Sequence, residues 1–75
     1  MKKSEIMIGE TYSNGKNRVR RVVDIGSQYK AYNAQECTEN LRYEIVHDGS
    51  KQNRTAGEQH NMTIAAFAAW AKEKI

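Results

Sequence analysis

The stretch Leu41-Arg42-Tyr43-Glu44-Ile45-Val46-His47-Asp48-Gly49 decides the fold class of this chain. Its apolar side chains recur at every second position, which is the period of a β-strand with one buried face. Asp48-Gly49 ends the strand, because this dipeptide is typical of a tight turn. The inward-facing set is Leu41, Tyr43, Ile45 and His47.

Upstream of this strand, the sequence predicts a β-hairpin. Residues 6–12 form a first predicted strand and residues 18–26 a second. Asn14-Gly15 lies between them and favours a type I′ turn, because both residues tolerate positive φ. Residues 27–40 are mostly polar, and no continuous strand or helix pattern runs through them. They are interpreted as a long excursion with room for a short strand near Tyr29.

Downstream of the strand, an exposed loop and a helix complete the predicted fold. Residues 50–59 contain no aliphatic side chain larger than Ala56, which is typical of a mobile loop. Residues 63–75 are rich in alanine and predict a helix with Thr63 as its N-cap. Its apolar stripe consists of Ile64, Phe67, Ala68, Ala71 and Ile75, with Trp70 at the margin. The prediction is a mainly β fold, a small barrel over residues 6–62 closed by one C-terminal α-helix.

The size and composition indicate one domain over residues 1–75, a monomer or a weak homodimer. The net charge of +3, from 12 basic and 9 acidic residues, is a mild excess for a dedicated nucleic-acid binder. Cys37 is the only cysteine, so no intramolecular disulfide can form. Because no stretch has the length and apolarity of a signal peptide or membrane span, we expect a cytoplasmic protein without membrane contact.

Catalytic and metal-binding roles are weighed and set aside. Cys37 with His47 or His60 would make a nucleophile and base pair, but acidic neighbours of Cys37 oppose thiolate formation. The same residues with Asp48 lack the paired short spacing of a zinc site. We therefore predict a protein that is not an enzyme and has no metal and no cofactor.

A basic cluster of Lys16, Arg18, Arg20 and Arg21 marks the second predicted strand. Guanidinium groups on a hairpin arm can bind phosphate oxygens, so the cluster is a candidate nucleic-acid contact. The alternative is a solvated face whose arginines pair with acidic residues on neighbouring strands. Both interpretations stay open at this point.

The aromatic residues suggest a second kind of recognition surface. Phe67 and Trp70 are needed for so small a core, whereas three of the tyrosines are freer to bind a partner. The tyrosines chosen as candidate binding residues are Tyr12, Tyr29 and Tyr32.

Taken in order, several short motifs resemble the small proteins of unknown function found in phages and prophages. They are Ile8-Gly9-x-x-Tyr12, Arg20-Arg21-Val22-Val23-Asp24-Ile25, Leu41-Arg42-Tyr43-Glu44-Ile45 and Phe67-Ala68-x-Trp70-Ala71. The resemblance implies an SH3-like barrel and a phage or mobile-element origin, and it brings no catalytic residues.

Two functional hypotheses follow. The first is an SH3-like adaptor that binds an unidentified host or phage protein through its loops and exposed tyrosines. The second is an accessory nucleic-acid-binding protein that uses the basic strand 16–21. The first is preferred.

Overall fold

The computed structural model describes all residues, Met1–Ile75. A short 3₁₀ helix, η1 (Lys3–Glu5), precedes the first strand. The remaining elements are β1 (Thr11–Ser13), β2 (Arg18–Ile25), β3 (Asn40–Asp48), β4 (Gln59–Thr63), α1 (Ile64–Trp70) and β5 (Glu73–Lys74). The mainly β fold with one short C-terminal helix is confirmed. No helix in the molecule combines the length and apolarity needed to cross a membrane.

The five strands form one antiparallel sheet in the order β4-β3-β2-β1-β5. Strands β4 and β5 are its two edges and do not pair with each other, so the predicted closed barrel is not formed. The register between β2 and β3 shifts after Val19 and again after Val22. Such bulges bend and twist a sheet locally.

The predicted hairpin at Asn14-Gly15 is confirmed, but its type I′ turn is not formed, because Gly15 has positive φ and Asn14 does not. Gly15 adopts φ of +82°, a conformation that residues with a Cβ rarely adopt. Asn14 N donates to Arg18 O at 3.2 Å, and the Asn14 side chain accepts from Lys16 N at 2.9 Å. The turn thereby fixes the register of β1 against β2.

The first strand is shorter than predicted. Residues 6–10 are not a strand, because Gly9 at φ +85° turns the chain back toward β2. Gly9 N donates to Val22 O, and Val22 N donates to Glu10 O. Strand β1 therefore begins only at Thr11, and the residues before it are free to pack under Tyr12.

The helix begins where the sequence predicts and ends earlier. Thr63 Oγ1 accepts from Ala66 N at 3.1 Å, which confirms the N-cap. The helix ends at Trp70, and residues 72–75 run along β1, with Lys72 N donating to Ser13 O and Ile75 N to Thr11 O. Predicting a helix to residue 75 was wrong, because these residues instead satisfy the open edge of β1.

Two buried amide side chains organise the excursion over residues 27–40. Asn40 Nδ2 donates to Cys37 O at 2.9 Å and to Ser27 O at 3.3 Å. Gln35 donates to Cys37 O and accepts from Ala31 N. The short strand suggested near Tyr29 is absent. Side-chain hydrogen bonds therefore replace the strand pairing that this segment lacks.

One hydrophobic core lies between the sheet and α1. The rings of Tyr12 and Phe67 meet edge to face, with centroids 5.6 Å apart. Such aromatic pairs add to the free energy gained by burying their area. The eight core residues are Ile6, Tyr12, Val22, Leu41, Tyr43, Phe67, Ala68 and Ala71.

Tyr12→Phe should lower the free energy of unfolding by about 1–2 kcal/mol, because it leaves two backbone groups without a partner. The Tyr12 hydroxyl donates to Glu5 O at 2.7 Å and accepts from Met7 N at 2.9 Å. Urea denaturation measures the change. Tyr32→Phe, at a site 65% exposed, is the matched control and should be neutral. Equal stability of the two variants would contradict this role of the hydroxyl.

Candidate functional sites

The four basic residues predicted to act together are divided between the faces of the sheet. Arg20 and Arg21 are consecutive in a regular part of β2, so their side chains point to opposite faces. Arg21 Nη2 lies 2.7 Å from Glu44 Oε1, as the ion-paired interpretation predicts for this residue. Lys16 and Arg18 are exposed near the hairpin turn. Only part of the cluster can therefore face one ligand.

Arg20 is held between two aromatic rings on the core face of the sheet. Its Cζ lies 4.5 Å from the centroid of Tyr43 and 4.3 Å from that of Trp70. Desolvation by burial lowers the pKa of Arg20, and the nearby positive charge of Arg18 lowers it further, while Tyr43 acts in the opposite direction. The guanidinium Nη1 is buried without a hydrogen-bond acceptor.

A cleft of about 310 Å³ opens beside Arg20, at the end of the sheet where β2 begins and β3 ends. We call it the basic cleft, because its lining contains two guanidinium groups and a histidine. Ile45 is its only hydrophobic residue. The lining residues are Arg18, Arg20, Ile45, His47, Asp48, Ser50 and Thr55.

Asp48 organises the loop that forms one wall of the basic cleft. Its carboxylate accepts from Ser50 N and Oγ at 2.8 and 2.6 Å, and from Thr55 N and Oγ1 at 3.0 and 2.9 Å. These bonds, led by the Ser50 hydroxyl, hold the pKa of Asp48 well below its usual range. The side chain of Asp48 thus bridges the two ends of residues 50–55, a set of contacts that the sequence analysis did not predict.

His47 faces the cleft with one ring nitrogen already engaged. Its Nδ1 lies 3.1 Å from Gly49 N, which donates to it, and 2.7 Å from Asn17 O. This contact ties β3 to the β1–β2 turn. Nε2 is the nitrogen that remains for a ligand.

The second site is a groove of about 430 Å³ between the 27–40 excursion and the start of α1. We call it the Tyr32 groove, because Tyr32 is its largest exposed apolar side chain, at 65%. Cys37 also lies in its wall, exposed. The lining residues are Ala31, Tyr32, Gln35, Glu36, Cys37, Asn61, Met62, Thr63 and Ala66.

Strand β4, which forms part of this groove, has an unpaired backbone edge. The bonds at the two ends of the β3–β4 ladder run from Ile64 N to Glu39 O and from Ile45 N to Glu58 O. Hydrogen-bonded pairs alternate along an antiparallel ladder. Gln59 and Asn61 therefore direct their backbone N–H and C=O groups away from β3. An extended chain could bind to this edge.

The three candidate tyrosines have different environments. Tyr12 is completely buried, so its choice as a recognition residue was wrong: the small core needs its ring. Tyr29 is half-buried and donates to Asp24, a bond that raises the pKa of Tyr29 and lowers that of Asp24. Arg42 covers its ring at 5.5 Å. Tyr32 alone is freely exposed.

The nucleophile and metal candidates remain dispersed. Cys37 Sγ contacts Glu39 O at 3.9 Å, and His60 pairs with Glu58 at 3.2 Å. His47 bonds to the backbone of Asn17. No three His, Cys, Asp or Glu side chains converge on a point where a metal ion could bind.

Several site residues were not found from the sequence. Met62 falls in the predicted barrel and Ala66 in the predicted helix, and both line a groove that depends on the path of residues 27–40. Ser50 and Thr55 were assigned to a featureless loop. The signal that could have found Ser50 is its spacing two residues after Asp48, which is typical of an Asx turn.

Comparison of the chain with protein-family models, curated proteins and solved structures gives no match. The resemblance to phage and prophage proteins therefore stays a prediction. Function is inferred from the residues of the basic cleft and the Tyr32 groove.

Arg20→Ala should lower the free energy of unfolding by about 1–2 kcal/mol, because two cation–π contacts and the packing of the side chain stem are lost. Trp70 is the only tryptophan, so its fluorescence should report the same change as a shift to longer wavelength. Arg18→Ala is the control and should stay within about 0.5 kcal/mol of the original chain. An unchanged Trp70 emission in Arg20→Ala would contradict the stacking.

Asp48→Asn should destabilise the fold at neutral pH. The asparagine NH₂ group is itself a donor, so it cannot accept the hydrogen bonds that Ser50 and Thr55 donate to the carboxylate. The lowered pKa of Asp48 stabilises the fold fully above the unfolded value of about 3.9. This stabilisation is lost as the pH falls from there toward the folded pKa. Unfolding of both chains at pH values from 7 to 2 checks the sign. A stability gap that widens toward acid pH would refute it.

Proposed function

We propose that this chain is a small protein-binding module that holds an extended segment of a partner protein in the Tyr32 groove, along the edge of β4. Binding by strand addition combines main-chain hydrogen bonds with a side-chain pocket. The chain offers both parts at one place. The backbone groups of Gln59 and Asn61 are available at the edge, and the groove beside them is lined by Tyr32 and Met62.

The observation that carries this proposal is the position of the groove at an unpaired strand edge. Met62 and Asn61 are consecutive in β4, so their side chains lie on opposite faces of the sheet, yet both line the groove. The groove therefore wraps around the edge itself. A peptide strand bound there would place one side chain against Tyr32 and Met62.

The chemistry of the lining defines the partner. Tyr32, Met62, Ala31 and Ala66 offer apolar surface of a size that suits one aliphatic or aromatic side chain. Glu36 is the only charged residue of the lining and favours a basic residue in the same segment. We therefore propose an extended segment with a large apolar residue beside a lysine or arginine.

An SH3-like architecture is part of the proposal. Five antiparallel strands, two bulges in the β2–β3 pairing and a helix between the edge strands support it. A phage or prophage origin, a cytoplasmic location and the absence of enzymatic activity belong to the same proposal. These rest on the sequence pattern alone.

Selection of short linear peptides from a random displayed library against the immobilised chain tests this function. We expect enriched peptides with a large apolar residue next to a basic one. Tyr32→Ala should weaken their binding about tenfold, equivalent to about 1.4 kcal/mol, because the exposed wall of the groove is removed. Tyr32→Phe, which keeps the ring, should bind like the original chain.

A second pair of variants tests the strand edge. Gln59→Pro removes one outward N–H at the first residue of β4, where proline is tolerated, and should abolish binding of the selected peptides. Gln59→Ala keeps the N–H and should bind normally. Selected peptides that bind all four variants equally would refute the proposal. So would sedimentation of the original chain as a dimer that Tyr32→Ala converts to a monomer, because a second copy of the chain would then occupy the groove.

A further inference from the structure

We propose that the basic cleft is a second, separate binding site, and that it holds a phosphate group of a nucleic-acid backbone between Arg18 and Arg20. This inference goes beyond the proposed function and does not depend on it. The basic cleft and the Tyr32 groove share no lining residue. Their binding activities can therefore be lost one at a time.

The charge of the cleft favours an anion. Two guanidinium groups line it, and Asp48 is its only carboxylate. The carboxylate oxygens of Asp48 already accept four hydrogen bonds from Ser50 and Thr55. Asp48 is thus not the partner of either arginine, and no other carboxylate of the lining competes with a bound anion.

The guanidinium of Arg20 is already held in position before a ligand binds. The rings of Tyr43 and Trp70 hold its guanidinium, so little side-chain freedom remains to be lost on binding. A planar guanidinium presents its donors in a rigid fork that matches phosphate oxygens. Arg20 also makes no salt bridge within the chain. Its charge is available to the cleft.

Arg18 reaches the same cleft because Gly49 leaves room for it. A Cβ at position 49 would lie 3.2 Å from Arg18 Cγ, closer than nine in ten real contacts of that kind. Gly49 also has φ of +86°, where other residues are strained. The turn after β3 therefore lets the stem of Arg18 lie close against its backbone.

A phosphate fits this lining better than a peptide side chain. The cleft has one hydrophobic residue, Ile45, and its volume exceeds that of one phosphate group. A tetrahedral phosphate can accept from two guanidiniums at once. Further exposed cations lie in the turns on either side, namely Lys16 before β2 and Lys51 and Arg54 after β3. Successive phosphates of one strand would meet these charges.

The test measures binding of a fluorescein-labelled single-stranded oligonucleotide and of its duplex by anisotropy over a series of salt concentrations. Arg18→Ala should weaken binding of whichever oligonucleotide, single strand or duplex, binds more tightly by about tenfold. It should also reduce the number of counterions released on binding by about one, as read from the slope of log K against log salt concentration. Arg21→Ala is the matched control, because Arg21 lies on the other face and pairs with Glu44. It should change affinity less than twofold.

A second readout keeps the test independent of folding defects. Trp70 contacts Arg20, so its fluorescence should change when the oligonucleotide binds to the otherwise unaltered chain. Tyr32→Ala should leave this binding unchanged, which separates it from the proposed peptide site.

Three results would overturn the inference of a phosphate site, and a fourth would overturn its assignment to nucleic acid. The first three are no oligonucleotide binding at low salt, equal losses in Arg18→Ala and Arg21→Ala, and displacement of the oligonucleotide by an acidic peptide at equal concentration. Equal affinity for a mononucleotide would overturn the assignment to a nucleic-acid backbone.

Discussion

The guanidinium of Arg20 between the rings of Tyr43 and Trp70 is the contact on which both the packing and the proposed chemistry depend. It joins β2, β3 and α1 at one point, on the face that carries the core. A charged group in this position is partly desolvated, and the two ring faces offset part of that cost. Arg20 therefore packs against two aromatic residues at the core and also lines an open cleft.

This arrangement connects the small core to the two candidate sites. Helix α1 is held against the sheet by Phe67 and Ala68, and its last residue, Trp70, covers Arg20. Its first turn contributes Ala66 to the Tyr32 groove. One short helix thus takes part in a basic site at one end and an apolar groove at the other. A chain of this size can carry two chemically different surfaces because they share one scaffold.

The sequence predicted the elements whose signals are local. The alternation in residues 41–49, the Asn14-Gly15 turn and the Thr63 cap each depend on neighbouring residues, and each is found in the structure. The errors concern long-range pairing. Residues 72–75 have helical propensity but bind the edge of β1. Tyr12 lies in a strand as predicted, but its side chain is completely buried in the core and is not exposed for recognition. The two sites were only partly predictable, because each joins residues that are distant in the sequence.

Proton NMR of the side chain of Arg20 tests the stacking most directly. The rings of Tyr43 and Trp70 should shift the Arg20 Cδ protons upfield of those of Arg18, Arg21 and Arg54, because each ring shields protons above its plane. Trp70→Leu should remove much of that shift. Arg20 Cδ protons at the ordinary arginine position in the unaltered chain would contradict the account.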